Sequence, residues 1–264
     1  MKKITYLQEN LKDSKIIRWP ENCFPLKFYI APFRWYKAKN EGYKYNQMVF
    51  DALKIWENAS EGKVKFKIVN VLNDSQINLE WKRVDRKSLG YCHYNFDGLS
   101  RLYSAEVQIG LSDGIIHHQY MDENEVFHTI IHEIGHSLGL GHSPHKQDIM
   151  YTPHQYGTVS LGEGDINSIK WLYKLPFGKT VSEIASAYSL HFDNIDEVIA
   201  TIIEEKPMSK FEEVKNSIQI PQKDLLDEQT EIAELKKYNI LLQNIEIPKD
   251  LDAYLKKTNA KKDI

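Results

Sequence analysis

The chain has 264 residues, 42% of them hydrophobic and 27% charged, with a formal net charge of −3. That length accommodates one large domain or a medium domain with a small one, and the composition is ordinary for a globular protein in water. The weak negative charge gives no electrostatic case for nucleic acid or an anionic membrane, and no apolar run approaches the length of a membrane span.

Residues 1–15 are polar and are expected to form a loose N-terminal tail. Lys2 and Lys3 open it, but Gln8, Glu9, Asn10, Lys12 and Asp13 interrupt any apolar core of a signal peptide. The compartment is left open between the cytoplasm and export by an unconventional route, unless a leader has already been removed. Cys23 and Cys92 are too few for a disulfide framework and fit no zinc spacing, which favours two free thiols.

Alternation over Pro25–Ile30 predicts a strand. Val49, Leu53 and Trp56 fall at helical spacing within Asn46–Ser60, which predicts an amphipathic helix. Further strands are expected at Val64–Val69, Gln76–Trp81, Leu89–Tyr94 and Ser104–Ile109, with a turn at Asn95–Gly98. A long helix follows from about Glu123 to Leu138. Asp122 is its expected N-cap, and Glu125 stands where a capping box places its second partner. A short helix is expected over Asp165–Tyr173. Pro176 and Gly178 mark a boundary, beyond which the patterns are helical only: Val181/Ile184/Tyr188, Ile195/Val198/Ile199/Ile202, and a longer one at about 223–243.

The informative segment is His132-Glu-Ile-Gly-His136-Ser-Leu-Gly139-Leu-Gly-His142. Residues four apart on a helix lie on one face, so His132 and His136 can share one ion while Glu133 reaches a metal-bound water without being a ligand. Phe127, Ile130, Ile131, Ile134 and Leu138 give the helix an apolar back. Gly139 permits a sharp helix end and a reversal that returns His142 to the same ion. Three imidazoles leave a fourth tetrahedral position open, as catalytic zinc sites do. His128 lies one turn earlier; as a fourth ligand it would close that position, so it is expected to be solvated or to sit beside the ligands.

This segment, followed by Met150, resembles the metzincin signature with its downstream Met-turn, and within the metzincins it is most similar to the matrixins. Ser143 follows the third histidine, Asp148-Ile-Met-Tyr151 resembles their Met-turn, and Leu161–Tyr173 resembles their closing helix. The resemblance covers roughly residues 16–175. It implies an α+β fold: a twisted, mostly parallel sheet with an antiparallel edge strand, an active-site helix and a Met-turn. A small all-helical region at 176–264 would follow this domain.

The resemblance further implies a zinc-dependent metalloendopeptidase with one catalytic Zn2+ held by His132, His136 and His142. The zinc-activated water is the nucleophile, Glu133 the general base and Met150 the floor of the site. Asp165 would bond the Met-turn backbone. A protein or peptide substrate would lie extended along Gly90, Tyr91 and Cys92, with Pro153 and Tyr156 in the wall of the pocket after the cut bond. His154 would line the cleft. The family's zinc-blocking propeptide motif and its structural zinc set are not recognisable, so no second zinc is expected; calcium is left unassigned. Gly164 replaces an Asp that in mature matrixins pairs with the new N-terminus. The alternative is a zinc-binding metzincin-fold recognition module that no longer cleaves, against which the retained Glu133 argues. The C-terminal region is read as a helical appendage or as a unit that binds a partner or inhibitor.

Overall fold

The computed structural model describes residues 4–33, 41–83, 89–111 and 122–205. The chain separates into two compact units, Met1–Pro207 and Met208–Ile264. Every described residue belongs to the first, so the helix expected at 223–243 lies outside the described residues.

Alternating apolar residues build a sheet with one face on the core. Strand β1 (Leu26–Ile30) buries Leu26 and Phe28 and exposes Lys27. β2 spans Phe66–Val69 and β3 Ile77–Arg83, the latter burying Ile77, Leu79 and Trp81. β4 runs Gly90–Phe96, and β5, Leu102–Leu111, buries Ala105, Val107, Ile109 and Leu111. The order is β2-β1-β3-β5-β4. All pairs are parallel except β4 with β5, which runs antiparallel with Cys92 opposite Val107. The edge strand is therefore the one expected from the sequence, although Asn95 and Phe96, read as turn residues, still belong to it.

Helix α1 (Glu41–Ala59) packs against helix α2 (Glu123–Ser137), which lies on β4 and β5, and the Tyr45 ring of α1 meets Trp81 of β3 with centroids 5.8 Å apart. Val49, Leu53 and Trp56 of α1 are buried, and Trp56 Nε1 donates to the Ile131 carbonyl of α2 at 2.9 Å. Helix α3 spans Glu163–Leu172. Two more helices follow, α4 (Val181–Ala187) and α5 (Ile195–Glu205), which bury Val181, Ile184, Ile195, Val198, Ile199 and Ile202.

One expectation is corrected here. The N-terminal segment is not a loose tail: Thr5, Tyr6 and Leu7 are buried, and Leu7–Asn10 forms a 3-10 turn. Its average polarity hides two adjacent large residues, Tyr6 and Leu7, that enter the core. The segment also pairs with the chain after Pro176. Ile16 donates to the Lys179 carbonyl, Gly178 to that of Ile16 and Val181 to that of Ser14.

Candidate active site

Helix α2 is the platform. Asp122 accepts from the Asn124 amide at 2.8 Å and so satisfies one of the donors that a helix start leaves open. Ile130, Ile131, Ile134 and Leu138 are buried on the core side. The last turn would otherwise leave carbonyls without partners. Trp19 Nε1 donates to Ser137 O at 2.8 Å, and Tyr173 Oη to Leu138 O at 3.0 Å. Gly139 then reverses the chain at φ +98°, with Leu140 N bonded back to Gly135 O at 3.2 Å. An added Cβ there would meet the Ile17 carbonyl at 2.9 Å, so both conformation and space require glycine.

The reversal brings the three histidines together: one ligand nitrogen from each of His132, His136 and His142 lies within 4.8 Å of the others. His132 Nδ1 donates to Ile149 O at 2.8 Å and His136 Nδ1 to Leu140 O at 2.7 Å. A carbonyl can only accept, so in each neutral ring the proton is on Nδ1 and Nε2 carries a bare lone pair. Those two Nε2 atoms face each other at 3.1 Å. Two lone pairs at that distance repel, and a shared cation relieves the repulsion. Burial pushes His132 down to about 3 and His136 down to about 4, so neither ring competes for a proton near neutral pH. His142 is exposed, which leaves the ion position open to solvent on its side. Three neutral nitrogen donors with an accessible fourth side fit a zinc ion.

Glu133 is 7% exposed, and burial alone pushes it up to about 8. It packs against the first residue of β4. A Cβ on Gly90 would lie 2.6 Å from Glu133 Cγ and 2.7 Å from its Oε1. Gly90 thus lets the edge strand lie directly on the carboxylate, a role its expected place along the substrate did not include. Gly90→Ala must displace Glu133 or β4. With Glu133 as the general base expected from the resemblance, kcat/KM should fall by about 10²-fold, the cost of misplacing a catalytic group by an ångström. Bound zinc should stay at the wild-type amount, since no histidine is touched.

Beneath the histidines lies the Met-turn. Met150 is fully buried, and a Cβ on Gly135 would meet its Sδ at 2.5 Å and Trp56 Cζ2 at 2.8 Å. The glycine inside the histidine motif is what lets this loop approach α2. Asp165, fully buried, holds the loop from below: Oδ2 accepts from Ile149 N at 2.6 Å and Gly162 N at 2.9 Å, and Oδ1 from Met150 N at 3.3 Å. Burial and the neighbouring Asp148 push Asp165 up to about 6, while the donors around it pull the other way. Asp148 accepts from Gly164 N at 3.2 Å, and its carboxylate fills the space where a side chain on Gly164 would stand.

The loop after the Met-turn is tied to the start of α2. Glu125 does not complete a capping box; it accepts from Gly157 N at 3.0 Å and pairs with His154. Of the two places expected for His128, the structure has the one beside the ligands: it is 2% exposed, its ring stacks on that of His132 with centroids 6.0 Å apart, and its Nδ1 donates to Thr158 O at 2.7 Å. Burial first, and then His154, pushes it down to about 4. Local spacing cannot show a partner some thirty residues away, which is why Glu125 was misread. Pro153 and Tyr156 are exposed on this loop and Tyr91 on β4, whereas Cys92 is half-buried. Burial, and then the charge of Glu133, raises the Cys92 thiol well above its usual range, so it stays protonated.

The sequence profile of the matrixins, peptidase family M10, matches residues 18–174. The chain is 32% identical over 133 residues to a probable matrix metalloproteinase of Invertebrate iridescent virus 3, covering 45% of this chain and 35% of that protein. It is 35% identical over 96 residues to the macrophage metalloelastase of Rattus norvegicus, covering 31% of this chain and 20% of that one. It is 32% identical over 110 residues to interstitial collagenase B of Mus musculus, covering 38% and 23%. The chain thus spans about a third or less of the length of these relatives. With the profile matching more than half of the chain, over the sheet, the histidines and the Met-turn, the protein belongs to the matrixins, a family of zinc metalloendopeptidases.

Proposed function

We propose that this protein hydrolyses internal peptide bonds of proteins or peptides bound extended along β4, with zinc held by His132, His136 and His142. The observation that carries the reading is the pair of bare Nε2 atoms 3.1 Å apart, with Glu133 next to one of them in sequence and against the edge strand. Zinc supplies Lewis acidity there, which lowers the pKa of water and polarises the scissile carbonyl, and its charge favours the ionised form of Glu133.

The chain's own groups do the rest. Glu133 takes a proton from the attacking water and delivers it to the leaving nitrogen. The Ile149 and Leu140 carbonyls hold His132 and His136 in the tautomer that presents Nε2. Among the described residues, β4 has a strand on one side only, and a substrate strand can add to the other. Tyr91 on that strand and Pro153 and Tyr156 on the following loop are the residues we assign to substrate contact, with Gly90 and Cys92 contributing backbone.

The test is a library of peptides blocked at both termini, incubated with the zinc-loaded full chain and read by mass spectrometry. Internal cuts are expected. Zinc-loaded protein that binds these peptides without cutting any would favour a recognition module.

A further inference from the structure

Residues 4–10 and α5 lie outside the stretch matched by the matrixin profile, yet they are bonded to each other and to the floor of the site. Asp196, at the start of α5 and 2% exposed, accepts from Thr5 Oγ1 at 2.5 Å, Leu7 N at 2.9 Å and Gln8 N at 3.3 Å. In return Gln8 Oε1 accepts from the Ile195 amide at 2.9 Å. The 3-10 turn Leu7–Asn10 and helix α5 therefore cap one another's first amides. Tyr6 is held between these bonds. Its amide donates to Ser168 Oγ at 3.1 Å, and its buried hydroxyl donates to Asp165 Oδ1 at 2.8 Å.

We infer that Tyr6 is a positioning residue for the metal site, acting through Asp165 and the Met-turn on His132. The chain of bonds is continuous: Tyr6 hydroxyl to Asp165, Asp165 to the Ile149 amide, and the carbonyl of that same Ile149 to His132 Nδ1. Oδ2 of Asp165 has two short donors, whereas Oδ1 has Tyr6 and the longer bond from Met150. The Tyr6 hydroxyl therefore sets the rotation of the carboxylate, and with it the place of Ile149. A shift there turns the His132 ring, because its Nδ1 donates to that carbonyl. The same segment also reaches the last ligand: Asn10 packs against Gly141, the residue before His142. Asp196 completes the arrangement by fixing the residues on both sides of Tyr6.

This inference rests on the zinc reading above, and its test separates the two. The full chain, Tyr6→Phe, and a form with 3-fluorotyrosine at position 6 are loaded with cobalt(II), and the visible ligand-field bands and the zinc dissociation constants are compared. Outer partners of metal ligands tune affinity by about 10–100-fold. Tyr6→Phe is expected to bind zinc about tenfold more weakly, with shifted cobalt bands and a lower kcat at unchanged KM. Fluorotyrosine keeps the ring and is a stronger donor, so it is expected to shift the bands in the opposite sense. It also serves as the test should Tyr6→Phe fail to fold. Cobalt bands and zinc affinity equal to wild type, even with lowered thermal stability, would overturn the positioning role and leave the zinc reading standing. A wild type that takes up neither cobalt nor zinc would overturn both.

Discussion

Glu133→Gln is expected to lower kcat by about 10²–10⁴-fold, the usual contribution of a positioned acid–base group, while the protein keeps one zinc per chain. Gln preserves the shape that Gly90 packs against, but it cannot accept the proton of the attacking water. KM should change little, since the amide remains where the carboxylate was. The same variant has a stability signature in protein stripped of metal. Burial raises Glu133 from the ordinary 4.5 to about 8, so the folded state disfavours its ionised form. Folding then binds the proton more tightly than the unfolded chain does. The wild type keeps that stability below about pH 4.5 and loses it as pH rises through 8. Glu133→Gln has no such group, so its stability relative to wild type should increase across that window. Denaturant midpoints of the metal-free proteins at pH 4.5 and pH 8.5 measure it; a constant difference between them would contradict the burial argument.

His136→Ala is expected to do more damage to metal binding than His142→Ala, although both remove one of three donors. His136 is half-buried in the last turn of α2, and its ring holds the Leu140 carbonyl at 2.7 Å. Its loss removes a ligand and also frees the reversal at Gly139 that carries His142. His142 is exposed and lies at the end of that reversal. Zinc affinity in His136→Ala should fall by more than about 10²-fold, beyond what loss of an outer partner alone causes, which is at least about 3 kcal/mol. The stabilisation that zinc gives the folded state falls with it. Competition with a chelator and thermal melts with and without zinc read both effects. Equal losses in the two variants would show that the Leu140 bond contributes nothing.

Much of this architecture was legible in the residues. Strand alternation around Phe28, Leu79 and Val107 and helical spacing through Val49, Leu53 and Trp56 reflect burial on one face, and burial is what period-2 and period-3.6 patterns record. The histidine segment is explicit because its geometry is local: four residues make one helical turn, and one glycine makes the reversal. What escaped notice depends on contacts between distant segments. Gly135 and Gly90 are glycines because Met150 and Glu133 press on them, and nothing in their own neighbourhoods announces those partners. Glu125 had the right spacing for a cap, but a loop thirty residues on competes for its carboxylate more effectively than its own helix does. Tyr6 sits in a stretch dominated by Lys, Gln, Glu and Asn, and its bond to Asp165 spans 159 residues.

The central claim is most directly tested by adding zinc back, in sub-stoichiometric steps, to metal-free protein while following cleavage of one end-blocked peptide. The three-histidine site predicts a rate that rises linearly with bound zinc and reaches its plateau at one ion per chain. Cleavage that persists in metal-free protein, or that begins only after the first equivalent has bound, would contradict it.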